Sequence, residues 1–294
     1  MPTVQASPRL ILNKVLVPTD FSEASERVLA YARAFSEDYG AKIYISHAVN
    51  PTPPIFVPME PIPIDLDAEW QDAQARLNRF EANQLLNGTR HETILGRGEA
   101  WNVIEDVIRQ HSIDLVLLGT RGKHGLKKLL FGSGAEQIFR HADCPVLTVG
   151  PNVKVADGDI AGFRHIVFAT DFSAGSLHAL PYALSLAEEN QATLSFLHVM
   201  PIAIPQEQAP VAEVIRKRLQ VLIPSDAEDW CHPSAIVNFA FPSEGILHVA
   251  EEQSADLIVM GVHKRALRAA SHLPWAIAYE VICHAHCPVL TVRG

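Results

Sequence analysis

Short apolar runs recur along the chain, and stretches with helical spacing lie between them. In the first half the clearest runs are Val15-Leu16-Val17, Ile43-Tyr44-Ile45, Leu115 to Leu118 and Val146 to Val149. A run of this length, bounded by polar or turn-forming residues, predicts a buried strand. Between the first two runs, Val28, Leu29 and Ala32 fall on one face of a helix expected over Ala24 to Phe35. The second half repeats the pattern with Ile166-Val167-Phe168, Leu194 to Leu197, Leu257 to Met260 and Val289 to Val292. The third strand of each half lacks such a run and is expected only loosely, around Glu92–Leu95 and Ile236–Phe239. Apolar strands alternating with amphipathic helices predict an α/β fold, its parallel sheet covered on both faces.

The two halves also match residue by residue. Pro18-Thr19-Asp20-Phe21-Ser22 returns as Ala169-Thr170-Asp171-Phe172-Ser173. Ser112-Ile113-Asp114 with the strand and glycine after it returns as Ser254-Ala255-Asp256, again closed by a glycine, Gly261. His141-Ala142-Asp143-Cys144-Pro145-Val146-Leu147-Thr148-Val149 returns from His284 to Val292. Matched blocks in one order mean two copies of one domain. The first is expected over residues 11–150 and the second over 163–294, joined by the polar, turn-rich Gly150 to Asp159. The first copy carries extra length in a Pro-rich loop over residues 51–63.

One motif carries chemistry. Gly119, Gly122, Gly132 and Ser133 follow directly on the Leu115 to Leu118 strand, with Gly134 beside them and Arg121, Lys123, Lys127 and Lys128 in between. The pattern Ala135, Ile138, Phe139 then predicts a helix. A strand, a basic glycine-rich loop and a helix N-terminus suit a phosphate: glycines let backbone N–H groups approach, and the helix start offers unpaired donors and positive partial charge. In an open parallel sheet, ligands bind beyond the C-terminal strand ends. Asp20 ends the first strand and would face the glycine loop there. It could accept hydrogen bonds from a ribose or an adenine amine, or support the helix that starts near Ser22. In the second copy the motif is lost. Gly261 remains, but Lys264 replaces the second glycine, and Pro274 and Trp275 stand where Gly-Ser is expected. Proline has no N–H to give.

These residues resemble the universal stress protein family: the spaced glycines, the Pro-Thr-Asp-Phe-Ser at a strand end and the closing Cys-Pro-Val-Leu-Thr-Val. The resemblance covers nearly the whole chain as two tandem domains. It implies two Rossmann-like domains of the adenine nucleotide alpha hydrolase-like kind, each a five-stranded parallel sheet of order 3-2-1-4-5 with helices on both faces. It implies ATP, with or without magnesium, bound in the first copy. By that likeness Pro18, Thr19 and Asp20 would meet ribose or base, and Ala48 would offer its backbone to adenine. Gly119, Arg121, Gly122, Gly132, Ser133 and Gly134 would wrap the phosphates. It also implies pairing through the last strand of each domain, here a pseudo-dimer within one chain, with a homodimer of chains as a further level.

The remaining numbers mostly exclude. The net charge of −9 disfavours generic nucleic-acid binding. No apolar stretch reaches the ~20 residues that span a bilayer, and residues 1–9 hold no secretory core. Four cysteines in 294 residues make no disulfide framework, so reduced thiols and a cytoplasmic location are expected. Cys283-His284-Ala285-His286-Cys287 is too crowded to close a tetrahedral metal site alone. Gly96-Arg97-Gly98 lacks the third glycine of a dinucleotide fingerprint. His47 and His198 are read as satisfied structural histidines, and no catalytic constellation is visible. The expectation is an ATP-binding regulatory or sensor module. The alternatives are a slow ATPase or autophosphorylating protein with Ser133 as acceptor, and a nucleotide-free scaffold.

Overall fold

Each buried apolar run forms a strand of one continuous sheet. A computed structural model describes residues 12–50, 66–120, 133–154, 162–201, 204–262 and 273–294. The Pro-rich loop 51–63 and the loop 121–132 fall outside the described residues. The first copy runs β1 (Lys14–Pro18), α1 (Glu23–Arg27), α2 (Leu29–Tyr39), β2 (Lys42–Val49), α3 (Leu66–Glu81), β3 (His91–Arg97), α4 (Ala100–His111), β4 (Leu115–Gly119), α5 (Ser133–His141) and β5 (Val146–Val149). The second runs β6 (His165–Ala169), α6 (Ala174–Leu177), α7 (Leu180–Asn190), β7 (Thr193–Met200), α8 (Pro205–Gln220), β8 (His232–Phe239), α9 (Pro242–Glu252), β9 (Leu257–Val262), α10 (Leu273–His284) and β10 (Val289–Arg293). The helix expected over Ala24 to Phe35 is interrupted at Val28, and the second copy breaks at the matching place, between α6 and α7.

The strand order is β3-β2-β1-β4-β5-β10-β9-β6-β7-β8. Within each copy this is the order 3-2-1-4-5, all parallel. The halves join where β5 and β10 run antiparallel, with Leu147 opposite Leu290 and Thr148 opposite Val289. Two apolar layers flank the sheet. One spans both copies and includes Phe35, Leu77, Phe163, Phe168 and Phe196. The other, under α4, α5, α9 and α10, includes Ile104, Ile138, Val249 and Val281. The layers cross the junction: the rings of Phe35 and Phe163 lie 6.2 Å apart, and Asn190 Nδ2 donates to Tyr39 Oη at 3.4 Å. Asn152 Nδ2 donates to the Cys283 carbonyl at 3.2 Å, tying the start of the linker to the second copy.

The repeated blocks are devices that build this sheet. Asp114 Oδ2 accepts from the backbone N–H groups of Asn13 and Lys14, both at 2.9 Å, fixing the start of β1 beside β4. Asp256 does the same for Arg164 and His165 at 2.9 and 3.0 Å. Ser112 caps α4 with φ of 51°, and Ser254, one residue past the α9 cap Gln253, has φ of 49°, the left-handed turn that follows a helix end. Gly119 closes β4 against α1 so tightly that a Cβ there would sit 1.9 Å from the Ala24 carbonyl oxygen. At Gly261 it would sit 2.1 Å from the Gly175 carbonyl oxygen. Both glycines are therefore demanded by backbone contact, whichever copy carries the phosphate-type loop.

Gly119→Ala and Gly261→Ala should each destabilise the fold by at least about 1–3 kcal/mol, the usual cost of overpacking, as read by urea unfolding. Asp114→Ala and Asp256→Ala should each cost about 1–2 kcal/mol, since two charge-assisted bonds at a solvent-accessible strand start go in each case. Matching losses in the two copies would confirm that these residues serve the fold, and a loss in the first copy alone would not.

Candidate functional site

Order reversal places a crevice in the first copy. From β1 the chain moves outward to β2 and β3, then crosses to β4 on the other side, so the loops after β1 and β4 part above the sheet. A cavity of about 260 Å³ opens there. The end of β1 supplies Pro18, Thr19 and Asp20; β2 supplies Ser46 and Ala48; β4 supplies Leu118 and Gly119. Ala100 and Ile104 come from α4, and Gly134, Ala135 and Ile138 from α5. Ser22 and Ser25 complete the lining on the side of α1.

Two helix N-termini converge on this space. Gly134 lets α5 approach α4 so closely that a Cβ there would lie 2.9 Å from the Ala100 Cβ. Ala100 opens α4, and its N-cap Glu99 makes no side-chain capping bond. The first-turn N–H groups and the positive ends of both helices thus meet beside one cavity, an arrangement that favours negative charge. Ile104, Leu118 and Ile138 give the crevice apolar walls beside the buried hydroxyl residues Thr19, Ser25 and Ser46.

The β1 end is a stiff turn. Phe21 has φ of 59°, unusual for a bulky side chain and worth about 1–3 kcal/mol of strain. Its N–H donates to Thr19 Oγ1 at 2.9 Å, and its ring packs 4.3 Å from His47, 6.0 Å from Phe80 and under the Arg76 guanidinium at 4.6 Å. Thr19 Oγ1 also lies 3.0 Å from Ser25 Oγ. Asp20 Oδ1 accepts from the Ser22 N–H at 3.0 Å and from the Ser22 hydroxyl. Ser22, not Asp20, is the N-cap of α1, with its Oγ accepting from the Ser25 N–H at 3.4 Å. Asp20 therefore braces the cap from outside while its side chain lines the rim. His47 Nδ1 donates to the Thr19 carbonyl at 2.7 Å, and burial pulls its pKa below the ordinary value, so the ring is neutral near pH 7. The second copy rebuilds the turn with Phe172 (φ 61°), Thr170, Ser173, Ser176, Asp171, His198 and Arg218. Both histidines thus have a structural bond to a strand-end carbonyl.

Of the residues the sequence singled out, Pro18, Thr19, Asp20, Ala48, Gly119 and Gly134 stand around the one cavity. Arg121, Gly122 and Gly132 fall outside the described residues, and Ser133 enters only as the first residue of α5. Sequence reading missed Ser46, Ser22, Ser25, Ala100 and the apolar walls. A signal for Ser46 existed: it sits two positions before Ala48, hence on the same strand face. Arg97 of the Gly96-Arg97-Gly98 run closes β3, with its guanidinium 4.8 Å over the Trp70 ring. His284 Nδ1 donates to the Glu280 carbonyl at 2.9 Å, as His141 does to Gln137 at 2.9 Å. Burial pushes the Cys144 and Cys287 thiols up to about 12.

The second copy fills the equivalent space. By strand register Leu197 and Val199 occupy the places of Ser46 and Ala48, and Asn238 that of Gly96. Leu197 is fully buried. Room is made on α9, where Gly245 replaces Val103: a Cβ at Gly245 would strike Val199 at 2.5 Å and Asn238 Oδ1 at 2.8 Å. In the first copy the bulk is reversed, and a Cβ at Gly96 would strike Val103 at 2.4 Å. Lys264 falls outside the described residues, and Pro274 belongs to the first turn of α10.

Comparison with known proteins agrees on the architecture. The model of the universal stress protein family matches residues 12–150 and again 162–293. A universal stress protein of Methanocaldococcus jannaschii is 29% identical over 143 residues, covering 47% of this chain and 82% of the relative. One from Thermus aquaticus is 29% identical over 135 residues, covering 46% of this chain and 96% of the relative. The crystal structure of a universal stress protein from Archaeoglobus fulgidus superposes with a TM-score of 0.71 at 21% identity, over 96% of this chain and 98% of that one, a likeness of fold. Among the described residues no helix is long and apolar enough to cross a membrane. With its model matched twice and its sheet built twice, the chain belongs to the universal stress protein family, as a tandem of two such domains.

Proposed function

We propose that the first copy binds one adenine nucleotide, with ATP as its ligand and magnesium as an optional companion, and that the second copy is its structural partner. The observation that carries the reading is the crevice of the first copy: two helix N-termini meet above an apolar slot at the point where the strand order reverses. Such a site suits a molecule with an aromatic base at one end and phosphates at the other. Pro18, Thr19, Asp20 and Ala48 would hold the nucleoside. Gly119, Arg121, Gly122, Gly132, Ser133 and Gly134 would surround the phosphates. Bulky Leu197 and Val199 argue against a matching site in the second copy.

The reading is regulatory rather than catalytic. Among the described residues that line the cavity, Asp20 is the one ionisable side chain, and it already accepts from Ser22. Neutral His47 spends its Nδ1 proton on the Thr19 carbonyl. Neither is placed to activate water. A nucleotide grip with neither group placed to activate water fits a sensor better than an efficient hydrolase. Free cysteines, two of them buried, support a reducing cytoplasmic setting.

Calorimetry on protein stripped of nucleotide should give one ATP per chain, and Gly132→Trp should abolish it. Two ATP per chain would overturn the structural role of the second copy, and no binding would leave a scaffold. Hydrolysis by protein free of contaminating ATPase should run far below about 1 per second; a rate at or above that would refute the regulatory reading.

A further inference from the structure

Ser46 is a buried hydroxyl without a partner. It is 1% exposed, and its Oγ makes no hydrogen bond. An unpaired buried hydroxyl costs folding free energy, so its retention calls for a reason. Thr148 Oγ1 is also unpaired, but it lies in β5 and away from any described cavity wall, whereas Ser46 lines the crevice of the first copy. Side chains alternate along a strand, so Tyr44, Ser46 and Ala48 share the face turned to α4 and α5. Tyr44 is packed in the core of that face, and Ser46 and Ala48 are cavity wall. Ser46 stands about 7 Å deeper than Ala48, opposite Pro18 in register. Around this floor the cavity is apolar, with Ile104, Leu118 and Ile138. Leu197 takes the same register position in the second copy, opposite Ala169.

We propose that Ser46 is the residue that reads the base: its hydroxyl exchanges a hydrogen bond with the edge of a nucleobase seated among Ile104, Leu118 and Ile138. The proposal rests on the nucleotide reading of this site. A base is flat and apolar on its faces and polar on its edge. The slot offers apolar walls and, at Ser46, a hydroxyl with no partner that is able to donate or accept, whereas those of Thr19 and Ser25 pair with each other. Ser46 is thus a specificity residue whose cost is borne in the empty protein and relieved when ligand arrives. The same position filled by Leu197 removes both the depth and the polar contact.

The test pairs wild type with Ser46→Ala and reads two quantities with opposite signs. Without ligand, Ser46→Ala should melt at the same temperature as wild type or higher, because the orphan hydroxyl is gone. By calorimetry it should bind ATP about 3- to 10-fold more weakly, the span of one hydrogen bond lost at a site. It should bind adenosine more weakly by the same factor, since the contact is to the base. Wild type that binds ATP alongside Ser46→Ala that binds it equally well would overturn the proposal and leave the nucleotide reading intact; a water bound to Ser46 gives this result. A loss confined to ATP would overturn the assignment to the base, and a lower melting temperature for the empty variant would show that Ser46 has a structural partner. Wild type that binds neither ligand would overturn both readings.

Discussion

The antiparallel pairing of β5 with β10 is the constraint on which the molecule depends. A parallel five-stranded sheet with apolar faces ends in an apolar strand, and an uncovered apolar edge invites association. Val146 to Val149 and Val289 to Val292 are buried strands of this kind, and each supplies the other's missing neighbour. The result is one sheet of ten strands whose remaining edges, β3 and β8, are half-buried and carry polar residues. Apolar layers then run unbroken across the junction, with Phe163 of one half packed on Phe35 of the other. Neither half has a finished core without its partner.

Comparing the copies separates what the fold requires from what the site requires. Positions that recur are those that hold strands and turns: Asp114 with Asp256, Gly119 with Gly261, Thr19 with Thr170, His47 with His198. Each has a local bond or backbone contact that explains it in both places. Positions that differ are those that set the depth of the crevice: Ser46 against Leu197, Ala48 against Val199, and the exchange of bulk between Gly96–Val103 and Asn238–Gly245. The sheet tolerates either set because each is volume-balanced within its own copy. Asp20 recurs as Asp171 and braces a cap in both copies, and in the first copy it also lines the crevice.

Much of the fold was legible because its central strands are buried on both faces and read as plain apolar runs. The edge strands were not, since β3 carries His91, Glu92 and Thr93 and is only half-buried. Tandem repetition was legible from short matched blocks, although their meaning was not. Gly119 reads as a phosphate-loop glycine in one dimension, and only the packed structure reveals the Ala24 carbonyl pressed against it. The interruption of the helix at Val28 left no mark in its apolar spacing. Ser46 was legible only in part: its spacing from Ala48 puts it on the same strand face, but its depth and its lack of a partner emerge only from the packed structure.

The covalent joining of the halves has a consequence for variation. In a dimer of identical chains, a substitution near the shared strand or in the crevice is present twice, and its cost or benefit is counted twice. Here each substitution occurs once. The Leu197, Val199 and Asn238 set could therefore arise in one half while its counterpart stayed open, with the common sheet still held by β5 and β10. Such a chain can hold one filled and one open crevice in fixed proportion at any concentration. Two separate polypeptides would need selective pairing to reach the same composition.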